Sequence, residues 1–162
     1  MTTPEQAEVA SRIRADRATW QAIVDEAGPE RLDEPGPMGD WSLRDLAGHL
    51  AGWRNRRIAQ LEALARGESD APAPWPEELQ EDDDINAWIR EHDAGRSTEE
   101  ILADYAGSFD RLADAIEALP PEAARGPFPG TDSGPILEAD FLGHLHDEHL
   151  PTIQAWLAEG RD

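Results

Sequence analysis

The chain has 162 residues, of which 35 are acidic and 14 are basic, and its formal net charge is −21. This charge repels phosphate backbones and anionic lipid surfaces, so we expect neither a nucleic-acid partner nor a membrane partner. Every basic residue is an arginine and there is no cysteine. Lysine nucleophiles, Schiff bases and thiolates supplied by the chain itself are therefore excluded.

The length suits one domain, and we expect residues 1–162 to form it. The N-terminus lacks the basic and apolar regions of a signal peptide, and no apolar run is long enough to span a bilayer. These features predict a cytoplasmic protein.

The first predicted helix begins after Thr3 and ends near Gly28. Thr3, Pro4 and Gln6 have the pattern of an N-cap, a proline at N1 and a capping-box partner. Apolar residues then recur on one helical face, and Asp16 falls within that face. Because an inward carboxylate needs a donor or a charge partner, we expect an arginine to pair with Asp16, with a role of Asp16 in a functional site as the alternative.

A second long helix is predicted from the N-cap Ser42 to about Gly67. Residues 68–84 follow it and are rich in acidic residues and proline, with a single tryptophan, Trp75. Such a segment buries little apolar surface, so its composition predicts a long loop or lid.

The third helical region should start near Ile85, break near Gly95 and restart at a capping box that begins with Ser97. Two prolines at 120–121 should end it. A second loop rich in glycine and proline covers residues 126–134.

The last helix is predicted from about Ile136 to Glu159, with Pro151 inside it. A proline in that place should kink the helix and free the carbonyl of Asp147. We find no strand pattern. Four long amphipathic segments therefore predict an all-α four-helix bundle, with long connections after the second helix and before the fourth.

Three histidines, His49, His146 and His149, are the candidate catalytic or metal-binding residues. At about 100° per residue, His149 lies near the centre of the last helix's apolar stripe and His146 about 60° away. His144 falls roughly 150° from that centre, so we expect it on the surface and outside the site. Imidazoles that meet inside a bundle can bind a metal or move protons.

Four further residues are candidates for substrate binding: Trp53, Asn86, Trp88 and Tyr105. The aromatic members could hold a flat apolar ligand, although aromatic residues at helical spacing usually belong to the core. Asp83 and Asp84 are expected to cap the third helix, with contact to a ligand as the alternative, and Glu148 is expected to face outward. The run of residues 54–57 contains three arginines, which could bind an anionic group or pair with the abundant carboxylates.

The sequence resembles the DinB-like four-helix bundles, and within them the ClbS/DfsB type, over nearly its whole length. The likeness rests on WSLRDL at 41–46 followed by His49 and Trp53, on DDINA at 83–87 with the capped helix after it, and on HDEHLP at 146–151.

The resemblance implies a divalent metal such as Zn²⁺, Ni²⁺ or Mn²⁺ held by His49 and His149, and a homodimer. The third ligand of the family usually lies four residues before the last histidine. That position is Leu145 here, and His146 comes one residue later. Members of the ClbS type are not thought to need the metal, so the cofactor is a divalent metal or none.

Three functions are compatible with the sequence. The first, which the ClbS likeness favours, is a self-resistance or detoxification hydrolase that opens a reactive electrophilic ring of a natural product, with His149 or His49 as general base. The second is a metal-dependent thiol S-transferase or isomerase that uses mycothiol or bacillithiol, as many DinB-like proteins do. The third is a non-catalytic protein that sequesters a drug in the bundle cavity.

Overall fold

The structure is a computed structural model and describes residues 2–159. It contains six α-helices, which are α1 (Pro4–Ala27), α2 (Leu43–Ala65), α3 (Asp82–Asp93), α4 (Thr98–Ala118), the short α5 (Pro121–Ala124) and α6 (Leu150–Glu159). No strand forms in this part of the chain, which confirms the all-α prediction. No helix within residues 2–159 has both the length and the apolar character needed to cross a bilayer.

Capping boxes begin the three long helices α1, α2 and α4. In α1, the Gln6 amide N–H donates to Thr3 Oγ1, and the Thr3 N–H donates to Gln6 Oε1. Ser42 pairs with Asp45 in the same way at the start of α2, as do the serine and glutamate of residues 97–100 at the start of α4. These reciprocal bonds satisfy amides that helix formation leaves unpaired, which explains why the predicted starts of α1, α2 and α4 are correct.

Helix α4 lies at the centre of the bundle and packs against α1 and α2. Its buried side, which includes Tyr105 and Phe109, joins one continuous apolar core to which α6 contributes Ile153, Trp156 and Leu157. Helix α3 packs on α2, where Gly52 allows a close approach, because a Cβ there would lie 2.8 Å from Ile89 Cδ1.

The predicted loop after α2 is present over residues 66–81, and α3 begins three residues earlier than expected. Trp75 anchors this loop, since only 8% of its surface is exposed and its ring centroid lies 5.1 Å from that of Trp53. The segment is therefore a loop, but its tryptophan belongs to a second small apolar cluster with Ile85 and Ile89.

The predicted last helix is the element that differs most from expectation. Residues Ile136–Glu138 form only a 3₁₀ turn, and the helix proper begins with a π-helical turn, His144–His149, that continues into α6. The Leu150 N–H bonds to the carbonyl of Leu145, five residues back. The irregularity expected at Pro151 thus takes the form of a widened turn just before it, because a proline ring crowds the carbonyl four residues back.

Asp16 faces inward as predicted, but its partner is a histidine and not an arginine. His146 Nε2 lies 2.6 Å from Asp16 Oδ1, and only 6% of Asp16 is exposed. This contact ties the π-helical turn to α1. It also directs the His146 ring away from the other two candidate histidines.

Candidate metal centre and cavity

Three imidazoles converge where α2 meets the π-helical turn, and they belong to His49, His144 and His149. One ring nitrogen from each lies within 4.8 Å of the other two. His49 Nε2 and His144 Nε2 are 3.0 Å apart, and the ring centroids of His49 and His149 are 5.3 Å apart. The three side chains form a compact nitrogen cluster at the end of the apolar core.

The π-helical turn positions two of these rings. His144 and His149 are five residues apart, and a π-helix bonds residue i to residue i+5, so their side chains leave the helix on the same side. In an α-helix the same two positions would be about 140° apart. His49 approaches from α2, where it is buried with 5% of its surface exposed.

This geometry corrects the placement of two histidines. His144, expected on the surface, lies in the cluster, whereas His146, expected in the cluster, contacts Asp16. The reason is the smaller rotation per residue in the π-helical turn, which moves His144 inward. Leu145, the position of the third ligand in the related proteins, is 1% exposed and packs in the core.

The environment keeps these imidazoles neutral. Burial, together with the smaller effects of the neighbouring His144 and His149, lowers the pKa of His49 to about 3, while the Asn86 side chain acts in the other direction. Burial also lowers the pKa of His144 and of His149, against the opposing effect of Glu148. Since neutral imidazole is the metal-binding form, the site is prepared for an ion at neutral pH.

The donor set fits a divalent metal. His149 Nε2 is buried and has no hydrogen-bond partner among the described residues, which is costly unless a ligand satisfies it. Two nitrogens that share a tetrahedral ion at 2.0–2.1 Å lie about 3.3 Å apart, close to the 3.0 Å between His49 and His144. The cluster could therefore bind Zn²⁺, Ni²⁺ or Mn²⁺, as expected from the sequence, with His144 in place of His146.

A cavity of about 620 Å³ opens beside the histidines. Of the predicted substrate-binding residues, Trp53, Asn86 and Tyr105 line it. The indole N–H of Trp53 donates to Asn86 Oδ1 at 2.7 Å, which fixes the two side chains together. Burial raises the pKa of Tyr105 to about 12, so its hydroxyl stays protonated.

Trp88 is not among the residues that line this cavity. Its indole stacks on the ring of His92, with centroids 4.9 Å apart and planes inclined by 9°. It packs against the small apolar cluster that holds Trp75. Trp88 therefore lies outside this cavity, because position 88 on α3 faces the loop instead.

Two acidic positions lie closer to the cavity than expected. Asp83, for which the sequence favours a capping role over ligand contact, lines the cavity. Glu148, expected to face outward, keeps 65% of its side chain exposed, yet its Oε2 lies 3.3 Å from His144 Nε2. Residues 144 and 148 are four apart and therefore neighbours on a helix, so the turn that moves His144 inward also brings Glu148 to the edge of the cavity.

Sequence reasoning missed His144, although two signals could have found it. Pro151 follows directly after the segment, and a proline there favours a local departure from α-helical geometry. In addition, the DinB-like proteins that the sequence resembles usually have their third ligand four residues before the last histidine, which is Leu145 here. A turn with one extra residue would put His144 at that position instead.

Comparison with known protein families gave a match over most of the chain. Residues 13–150 match the family described as the mycothiol maleylpyruvate isomerase N-terminal domain, which is a DinB-like helical domain. Comparisons with curated proteins and with solved structures gave no match. The match covers most of the chain, including all three clustered histidines. This chain therefore belongs to the mycothiol maleylpyruvate isomerase N-terminal domain family.

Proposed function

We propose that the protein is a metal-dependent enzyme that uses mycothiol or a related small thiol to transform a reactive small molecule, as an S-transferase or an isomerase. The observation that carries the proposal is the cluster of His49, His144 and His149 beside a cavity of about 620 Å³, in which His149 Nε2 is buried and has no hydrogen-bond partner among the described residues. The family named for a mycothiol-dependent isomerase supports the choice of thiol.

The composition of the chain favours an external thiol as the nucleophile. With no cysteine and no lysine, the chain offers no thiolate or amine to the substrate. His49, His144 and His149 would hold a divalent ion, which lowers the pKa of a thiol or a water molecule when it is bound. The cosubstrate, and not the chain, would then supply the attacking atom.

The chain's own residues would bind and orient the substrate. The Tyr105 hydroxyl lies at the cavity wall, is fully buried and has no hydrogen-bond partner in the described chain. Because burial holds it protonated, it can donate to an oxygen of the substrate. Trp53, fixed by its bond to Asn86, would pack against a flat part of the same molecule.

The test combines metal analysis with a thiol requirement. Protein purified without a histidine tag should contain close to one divalent ion per chain, and His149→Ala should lose it while keeping its helical circular dichroism. Reactive electrophiles should be consumed only when mycothiol and metal are both present. Consumption without thiol, or full activity of His149→Ala, would contradict the proposal.

The same assay separates the two alternatives. The ring-opening hydrolase of the ClbS/DfsB type stays a prediction, and the comparisons give it no support; it would consume a strained electrophile in water without thiol. A sequestering protein would bind the electrophile saturably and return it unchanged, as mass spectrometry would show. The homodimer implied by the resemblance is also part of our proposal, and light scattering of the purified protein would test it.

A further inference from the structure

Asn86 lines the cavity near the start of α3, and its side-chain amide has a defined orientation. The indole N–H of Trp53 donates to Asn86 Oδ1 at 2.7 Å. An indole N–H can only donate, so the atom of the amide that faces it must be the oxygen. The bond to Trp53 therefore determines where the acceptor of Asn86 lies in the cavity wall.

Trp53 is held in place by the packing around it. Its ring centroid lies 5.1 Å from that of Trp75, and its side chain packs against the small cluster with Ile85 and Ile89. Helix α3 approaches α2 closely at Gly52, the residue directly before Trp53. Because packing already restricts the indole, Trp53 is a rigid support for the amide of Asn86.

The Asn86 side chain also acts on His49. Burial is the main influence on the pKa of His49 and lowers it, whereas hydrogen bonding to Asn86 raises it and is the smallest of the four influences. A group that favours the protonated imidazole accepts a hydrogen bond from it, and in an amide only the oxygen can accept. Asn86 Oδ1, which has two lone pairs, therefore serves both the Trp53 indole and the His49 imidazole.

The His49 ring has little other polar support among residues 2–159. Its Nε2 lies 3.0 Å from His144 Nε2 in the cluster, and its Nδ1 is buried without a hydrogen-bond partner. Trp41 packs edge-on against the ring, with centroids 6.0 Å apart, but an apolar contact does not select the position of the ring proton. A histidine that binds a metal through one nitrogen usually has an oxygen near the other N–H, which fixes the ring and its tautomer.

We propose that Asn86 is a positioning residue for His49, and that Trp53 supports it by holding the amide oxygen in place. Asn86 would select one tautomer of His49 and limit the rotation of its ring, so that Nε2 stays directed at the other two histidines. This role belongs to the metal-free protein. Its consequence for metal binding rests on the proposed function.

Nitrogen NMR of the metal-free protein tests the positioning alone. Long-range proton–nitrogen spectra of protein with ¹⁵N-labelled histidine report the tautomer of each ring, and the spectrum of His49→Gln assigns the His49 signals. We expect one dominant tautomer of His49 in the unmodified protein. Asn86→Leu, which is similar in shape but has no acceptor, and Trp53→Phe, which has no N–H donor, should each give a mixture of both tautomers.

Two further variants separate positioning from a general effect on packing. Asn86→Asp keeps an oxygen acceptor and should keep the tautomer of the unmodified protein. Trp88→Phe is the matched control for Trp53→Phe, because Trp88 also packs against the small apolar cluster but lies outside the cavity. It should leave the His49 signals unchanged.

Zinc affinity measures the consequence for the cluster. In competition with a chromogenic chelator, Asn86→Leu and Trp53→Phe should each bind Zn²⁺ about tenfold more weakly than the unmodified protein, as is usual when the partner of a ligand is removed. Asn86→Asp should bind Zn²⁺ at least as tightly as the unmodified protein, because a carboxylate is a stronger acceptor. Trp88→Phe should have the affinity of the unmodified protein.

The same tautomer ratio of His49 in the unmodified protein, Asn86→Leu and Trp53→Phe would overturn the proposal. So would a change in Trp88→Phe as large as that in Trp53→Phe. If Asn86→Leu does not fold, Trp53→Phe and Asn86→Asp test the role independently. A changed tautomer ratio in a protein that binds no Zn²⁺ would retain the positioning role and contradict the proposed function, whereas Zn²⁺ binding of equal strength in every variant would overturn the consequence for the metal.

Discussion

His144 and His149 face the same side of one π-helical turn, with their ring centroids 5.0 Å apart. This pairing depends on backbone geometry, because an α-helix would point the two rings in different directions. The turn lies directly before Pro151. Of the three histidines in this segment, two direct their rings inward, and the third, His146, contacts Asp16 on α1.

The assignment of ligands predicts a contrast between two neighbouring histidines. His144→Ala should lower the affinity for Zn²⁺ by at least about a hundredfold, because one of three nitrogen donors is lost. His146→Ala should keep the affinity of the unmodified protein, because His146 contacts Asp16 outside the cluster. Competition with a chromogenic chelator measures both values, and the reverse order would show that the ligand set is His49, His146 and His149.

The lowered histidine pKa predicts that the metal-free protein loses stability in mild acid. Below the ordinary histidine pKa of 6.5 the unfolded chain takes up a proton at His49, whereas the folded protein does not until about pH 3. The free energy of unfolding should therefore fall as the pH decreases through this window, by about 2 kcal/mol at pH 5 from this group alone.

Comparison with His49→Gln isolates that contribution. Urea titrations of the metal-free proteins between pH 7 and pH 4 should show a smaller decrease in the free energy of unfolding for His49→Gln than for the unmodified protein. His92→Gln removes an exposed histidine that stacks on Trp88 and serves as the control. Parallel pH profiles for the unmodified protein and His49→Gln would contradict the prediction.

The contact between Asp16 and His146 should stabilise the fold without affecting the metal. His146→Leu removes the partner of a carboxylate that is 6% exposed, and it should cost about 1–3 kcal/mol of unfolding free energy. Adding Asp16→Leu removes the stranded carboxylate as well, so the double variant should recover much of the loss. Equal stabilities of the single and the double variant would mean that the contact has no such role.

Trp75 should decide whether the loop after α2 stays in place. Trp75→Ala removes the centre of the small cluster with Ile85 and Ile89. Large-to-small changes of this kind lower the free energy of unfolding by about 3–5 kcal/mol in a main core, and we expect a smaller decrease at this partly open site. Residues 66–81 should then become sensitive to limited proteolysis. Trp88→Ala, at the edge of the same cluster, is the milder control.

The helical frame follows from local signals in the sequence, whereas the site depends on one irregular turn. Thr3, Ser42 and Ser97 each begin a helix through a side-chain bond to an amide three residues later, and such short-range patterns are readable. The period of 3.6 residues places His49 at the flank of the apolar stripe of α2 and turns Trp53 inward, which agrees with the burial of His49 and with the position of Trp53 at the cavity. His144 could not be placed in that way, because a constant angle per residue is the assumption that a π-helical turn breaks.

Trp88 and Asp16 show a second reason why the sequence alone does not predict every contact. Helical periodicity gives the face of a residue but not its neighbour on the opposite element. Trp88 faces a loop whose path depends on Trp75, and Asp16 meets a histidine that the widened turn directs toward α1. Both contacts are long-range, so no local pattern near either residue encodes them.

The widened turn also changes how this protein should be aligned with its relatives. A π-helical turn accommodates one extra residue without a loop, so the chain can gain or lose a residue between positions 144 and 149 while the two rings keep facing His49. An alignment that allows no gap inside a helix would pair Leu145 with the ligand of a relative and report the site as lost. Such sequences should be aligned by superimposing the ring nitrogens of their histidines in space. A histidine that lies one alignment column away from the ligand of a relative can then be recognised as the equivalent ligand.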